Sequence, residues 1–124
     1  MMTEEGNMST LIAARPGPLR LGLWAMLNLM PQIENIRQVS DALAVSSAVK
    51  RYQPVLVLLD GSLPCNGVSS VLRAIKEDGY QGRCLVLAND VRQQREAESA
   101  GADKALVKGF PAGILFEIVE ELLV

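Results

Sequence analysis

Five short apolar runs, each followed by a stretch with helical spacing, constrain what this chain can fold into more than any other feature. The clearest run is Val55–Leu59 (VLVLL), closed by Asp60 and Gly61. Thr10–Ala14 (TLIAA), Cys84–Ala88 (CLVLA) and the shorter Lys104–Val107 read the same way. Ile33–Val39 is weaker, because Ile33, Ile36 and Val39 do not strictly alternate. Between the runs, periodicity predicts helices over Leu19–Met30, Asp41–Tyr52, Val68–Asp78, Asp90–Ala100 and Pro111–Leu123. Pro18 suits a first helical turn and Pro31 an end, Ser40 can cap the second helix, and Gly79 and Gly101 stop the third and fourth.

Continuous apolar strands alternating with helices predict a parallel sheet covered on both faces. Right-handed crossovers leave few topologies. The expected fold is a single-domain α/β sheet of five strands, doubly wound in the flavodoxin-like order 2-1-3-4-5. A length of 124 residues fits one domain over 10–124, after a flexible polar tail at 1–9. In such sheets the functional crevice lies at the carboxyl ends of the strands. That places Ala14–Arg15, Asp60–Ser62, Ala88–Asn89 and Lys108–Gly109 around it.

The net charge of −2 argues against direct nucleic-acid binding. The absence of histidine removes Ser-His-Asp and Cys-His catalysis, histidine-ligated metals and a phosphohistidine carrier role. Cys65 and Cys84 have no metal-ligand spacing and read as free thiols of a reducing compartment. The longest uncharged run, Leu21–Ile33, is shorter than the ~20 residues of a membrane span. Met1–Asn7 has no signal-like region, so a cytoplasmic protein without membrane contact is expected.

Asp60 ends the most apolar strand and projects a carboxylate at the crevice, although Asp-Gly is also a common turn dipeptide. Lys108 follows the fifth strand, where a lysine can meet an anion as a mobile point charge. Their placement at the ends of two strands flanking one crevice favours a site.

VLVLLDGSLPCNG, CLVLAND and AGADKALVKGF together resemble the receiver domain of bacterial response regulators, with a CheY-like fold. LIAARPGPLRLGL is similar to the start of receivers in regulators with a helix-turn-helix DNA-binding tail. The likeness covers about residues 10 to 123. It implies a role in two-component phosphorelay signalling, with Asp60 as phosphoacceptor and Lys108 contacting the phosphoryl group. The departures are specific. Where receivers carry an acidic pair that helps to hold Mg²⁺, this chain has Ala14 and Arg15. Ala88 replaces a Thr or Ser, Ala105 an aromatic residue, and Gly109 a proline.

Mg²⁺ demands several oxygen ligands in near-octahedral geometry. With the pair gone, Asp60 is the one expected carboxylate, so Mg²⁺ binding should be weak or absent and no other cofactor is expected. Asp90 and Glu4–Glu5 are weaker possibilities as ligands. Arg15, if turned inward, would supply a fixed positive charge beside Asp60. Without the hydroxyl and the aromatic side chain, the usual readout of phosphorylation has lost both its parts.

No G-x-x-x-x-G-K-[ST] or G-x-G-x-x-G loop is present. Cys84 reads as core, and Cys65 as a loop thiol with nothing to lower its pKa. In the first helix Leu19, Leu23, Met26 and Leu27 form the expected core stripe, leaving Leu21 and Trp24 outside it. In the last, Leu115, Val119 and Leu122 form the stripe, leaving Ile114, Phe116 and Ile118. Leu21, Trp24, Ile114, Phe116 and Ile118 are therefore candidates for one interaction surface across two neighbouring helices. The leading expectation is a degenerate receiver, not an enzyme, acting through protein–protein contacts with a sensor kinase, a downstream effector or a second copy. A conventional receiver phosphorylated on Asp60 by a histidine kinase, and a flavodoxin-like enzyme or ligand-binding domain, are the alternatives.

Overall fold

The computed structural model describes residues 8–63 and 67–124. Ten elements alternate along the chain: β1 (Ser9–Ala13), α1 (Pro18–Asn28), β2 (Asn35–Val39), α2 (Leu43–Tyr52), β3 (Leu56–Asp60), α3 (Gly67–Glu77), β4 (Arg83–Ala88), α4 (Val91–Ser99), β5 (Lys104–Val107) and α5 (Ala112–Leu122). The strands form one parallel sheet in the order β2-β1-β3-β4-β5. This is the expected doubly wound α/β fold.

Side chains that alternate along the strands feed two cores. Leu11, Val57, Leu59, Cys84 and Val86 pack under α2, α3 and α4. Ile12, Leu56, Leu58, Leu85 and Leu87 pack under α1 and α5, which therefore share one face. β1, β3 and the interior of β4 are buried on both faces, hence their unbroken apolar sequence. β2 is an edge strand with mostly exposed residues, which accounts for its weak signal. No helix among the described residues is long and apolar enough to cross a membrane.

Several boundaries differ from the expected ones. β1 begins at Ser9, which is buried, one residue earlier than the sequence suggests. α1 ends at Asn28, with Leu29 and Met30 bonded back to Met26 and Leu27 in a tight last turn. The side chain that caps the start of α2 is Asp41, whose Oδ1 accepts from Ala44 N at 3.0 Å, and not Ser40. Met1–Asn7, with Glu4 and Glu5, and the loop residues Pro64, Cys65 and Asn66 lie outside the described residues.

Candidate functional site

Asp60 is the last residue of β3, the middle strand of the sheet, and is only 6% exposed. Its Oδ1 accepts from Lys108 Nζ at 2.6 Å and from the Ser62 backbone N–H at 2.9 Å. Lys108 leaves the end of β5, where its own N–H donates to Ala88 O at 2.9 Å. The ammonium makes two further bonds, to Asn89 Oδ1 at 2.8 Å and Ser62 Oγ at 3.2 Å. Ser62 Oγ in turn donates to Asn89 Oδ1 at 3.0 Å. One cation thus ties together the loops that follow β3, β4 and β5. All three donors of an ammonium are used, which fixes an otherwise flexible side chain.

Gln93, in the first turn of α4, braces this arrangement. Its Nε2 donates to Gly61 O at 2.9 Å, and its Oε1 accepts from Asn89 N at 2.7 Å. Gly61 N also donates to Leu87 O at 2.8 Å. The loop runs so close to β4 that a side chain at 61 would collide with both Gln93 and Leu87 O. Asp90 caps α4, its Oδ1 accepting from Gln93 N at 2.8 Å. That carboxylate is committed to the helix end.

The positions where the chain departs from the receiver pattern have definite surroundings. Ala14 is fully buried at the end of β1. Arg15 is exposed and makes no ion pair among the described residues; Lys108, not Arg15, is the cation on Asp60. The guanidinium that holds the β1 edge is that of Arg20 in α1, whose Nη1 donates to Ala14 O at 3.3 Å and Ser40 Oγ at 3.0 Å. Ala88 is buried at the end of β4 and offers no hydroxyl, so the neighbouring Asn89 supplies the polar group there. Ala105 is buried under α4, and its carbonyl accepts from Gln94 Nε2 at 2.8 Å. Gly109 has φ +103, in the left-handed region; a proline, held near −65°, could not adopt this turn.

Sequence reasoning put Ser62 and Asn89 at the crevice without giving them chemistry, and it missed Arg20 and Gln93. Arg20 had a signal, as the one charge in the apolar segment PLRLGLWAMLN. Gln93 had none, because it sits in a helix that is polar throughout.

Among the described residues no three His, Cys, Asp or Glu side chains cluster as metal ligands would. Cys84 is fully buried, and burial pushes its thiol up to about 12, with Lys76 opposing and Asp103 adding to the rise. An inert core thiol results.

Of the five surface candidates, Leu21 (66% exposed), Trp24 (42%) and Ile114 (42%) are exposed. Phe116 is half-buried against the α1/α5 core. Ile118 is buried, which corrects its assignment to a surface. The stripe that α5 turns to the sheet is Leu115, Ile118 and Val119, with Leu122 half-buried at its end. That i, i+3, i+4, i+7 spacing is the arc a helix needs on a flat sheet. The exposed candidates also do not meet. A groove of about 250 Å³ separates α1 from α5, and Leu19, Gly22, Met26, Phe110, Ala112 and Leu115 are among its lining residues. Leu21 and Trp24 instead face the β2 side of α1, where they line a second groove with Arg20 and Gln38.

The same architecture occurs in solved structures. The signal receiver domain of a putative LuxO repressor protein from Vibrio parahaemolyticus superposes with a TM-score of 0.83 at 20% identity, covering 94% of this chain and 90% of that one. A two-component response regulator of the LuxR family from an Aurantimonas species gives 0.84 at 20% identity, covering 93% and 84%. The chain has the response-regulator receiver fold. The receiver domain of a Pseudomonas aeruginosa sensor histidine kinase, which holds magnesium in its active-site cleft, gives 0.81 at 20% identity, covering 94% and 98%. No protein-family model matches the chain. No curated protein sequence matches it.

Proposed function

We propose that the chain is a receiver-like signalling module of a two-component phosphorelay that works through protein contacts and does not depend on Mg²⁺-driven phosphorylation of Asp60. One observation carries this reading. The carboxylate at the phosphoacceptor position is held at 2.6 Å by an ammonium whose other two bonds stay within the site, while β1 is followed by Ala14 and Arg15. Mg²⁺ takes a near-octahedral shell and binds through carboxylates. A single carboxylate already engaged by Lys108 and Ser62 N does not fit it. The neighbour from Pseudomonas aeruginosa that holds magnesium shares the fold at 20% identity.

In this reading Asp60, Lys108, Ser62 and Asn89 form a structural clamp that keeps the carboxyl edge of the sheet in one state. With Ala88 and Ala105 at the positions of the hydroxyl and aromatic groups, no moving part reports a charge placed on Asp60. The working surface is the outer side of α1 and α5, with Leu21, Trp24 and Ile114 exposed. The partners are a sensor kinase, a downstream effector or a second copy, acting in the cytoplasm without direct contact to nucleic acid.

Incubation with a small phosphodonor and Mg²⁺, followed by intact mass, tests the reading. No gain of a phosphoryl group is expected. Titration of Mg²⁺ watched by Trp24 fluorescence should show no saturable change at millimolar concentration. Stoichiometric phosphorylation lost in Asp60→Asn would establish the conventional receiver instead.

A further inference from the structure

Charge is segregated between the two helices of the α1/α5 layer. From Met8 to Ile33 the only charged side chains are Arg15 and Arg20. From Gly109 to Val124 the only ones are Glu117, Glu120 and Glu121, all exposed. Each set adjoins exposed apolar side chains, and the two groups lie on opposite outer flanks of the layer.

On α1 the flank faces the β2 edge. Gly17, Pro18, Arg20, Leu21, Trp24 and Gln38 line an open groove of about 640 Å³ there. Among the described residues Arg20 uses only Nη1, on Ala14 O and Ser40 Oγ. That anchors the guanidinium and leaves Nε and Nη2, the pair that receives a carboxylate side-on, without a partner among the described residues. On α5, Ala112 faces α1 across the inner groove. At 100° per residue Ile114 lies about 160° around the helix from Ala112, towards the β5 edge. Glu117 and Glu121 follow Ile114 at i+3 and i+7, so one stripe carries an isoleucine and two carboxylates. The apolar, basic groove and the apolar, acidic stripe are complementary, and their separation stops one chain from closing on itself.

We propose that the partner of this surface is a second copy of the chain, docked head to tail. Ile114 of one copy enters the Leu21–Trp24 groove of the next, and Glu117 or Glu121 meets Arg20. Because the two patches are different and lie on opposite flanks, the contact is heterologous. It leaves a free patch at each end and propagates into a ring or an open chain of more than two subunits. The proposal rests on the reading of the α1/α5 layer as the contact surface, and it stands or falls independently of whether Asp60 accepts a phosphoryl group.

Complementation tests it. Trp24→Glu disables the groove and Ile114→Lys disables the stripe, and both positions are exposed, so circular dichroism should report intact folds. By sedimentation, the wild-type chain is expected to grow beyond a dimer with concentration and to dissociate with rising salt. Either variant alone should be monomeric, since loss of a central aromatic anchor weakens a contact by about thirtyfold or more. An equimolar mixture should give a species of two chains and nothing larger, with Trp24 of the Ile114→Lys chain shifting to the blue. Leu43→Glu, at a 69% exposed position on the other face, should leave assembly unchanged. A wild-type chain that is monomeric throughout or stops at two subunits would overturn the proposal. So would a mixture that stays monomeric, or an equal effect from Leu43→Glu.

Discussion

Lys108→Met removes the cation from Asp60 and keeps most of the side chain's volume. The Asp60 side chain is 8% exposed, so without Lys108 its charge keeps, among the described residues, the Ser62 N–H at 2.9 Å. Removing one partner of a fully buried pair costs about 3–5 kcal/mol. Lys108 is 29% exposed here, and water reaches its side of the pair, which lowers the expected loss to about 2–3 kcal/mol. Asn89 and Ser62 also lose the ammonium that links them. Asp60→Asn is asymmetric to this. The amide still accepts from Ser62 N, Lys108 keeps Asn89 and Ser62 as acceptors, and a partly exposed ammonium stays hydrated. That change should cost about 1 kcal/mol or less. The double variant should be more stable than Lys108→Met alone, because no charge is then left buried and unpaired. Urea unfolding followed by Trp24 fluorescence measures all three, with an unchanged slope confirming the same unfolding surface. If Lys108→Met lies within experimental error of wild type, or if the two changes simply add, the clamp does not hold Asp60 as described.

Two further outcomes follow from other parts of the fold. Burial raises the Cys84 thiol from 9.0 to about 12 in the folded chain, so between those values the unfolded chain gives up a proton that the folded one keeps. Stability should therefore fall as pH rises through this window, by up to about 1.4 kcal/mol per unit from this group. Cys84→Ala should flatten that slope in denaturation curves, leaving the same-signed contribution of buried Tyr80, which starts above its ordinary 10.0. Gly61→Ala should destabilise by about 2–3 kcal/mol, since the new Cβ would sit 2.9 Å from Leu87 O as well as against Gln93. Adding Gln93→Ala should recover part of that loss, and strict additivity in the double-mutant cycle would show that the Gln93 brace is not in contact with the loop.

The alternation of apolar runs and helices was enough to settle five strands, five helices and their order. Strands such as Val57 to Leu59 must be buried on both faces to account for their composition, and parallel crossovers have few arrangements. Asp60 and Lys108 were legible because topology alone brings strand ends to one edge. What tertiary structure decided was which side chains meet once they are there. Arg15 and Arg20 are both cations near the β1 edge, yet only Arg20 reaches its carbonyl, because α1 folds it back over the sheet. Gln93 sits among polar neighbours that periodicity cannot tell apart, and only the close passage of the Gly61 loop gives it a partner. Ile118 joined the core because the rotation of α5 on the sheet, set by packing, differs by a fraction of a turn from the arc drawn through Leu115, Val119 and Leu122. The docking of α1 turned Trp24 to the β2 side, where it lines a groove with Gln38, and the docking of α5 left Ile114 exposed away from it. A helical period tells which residues share a face; the neighbour that each face meets is fixed only when the helices dock.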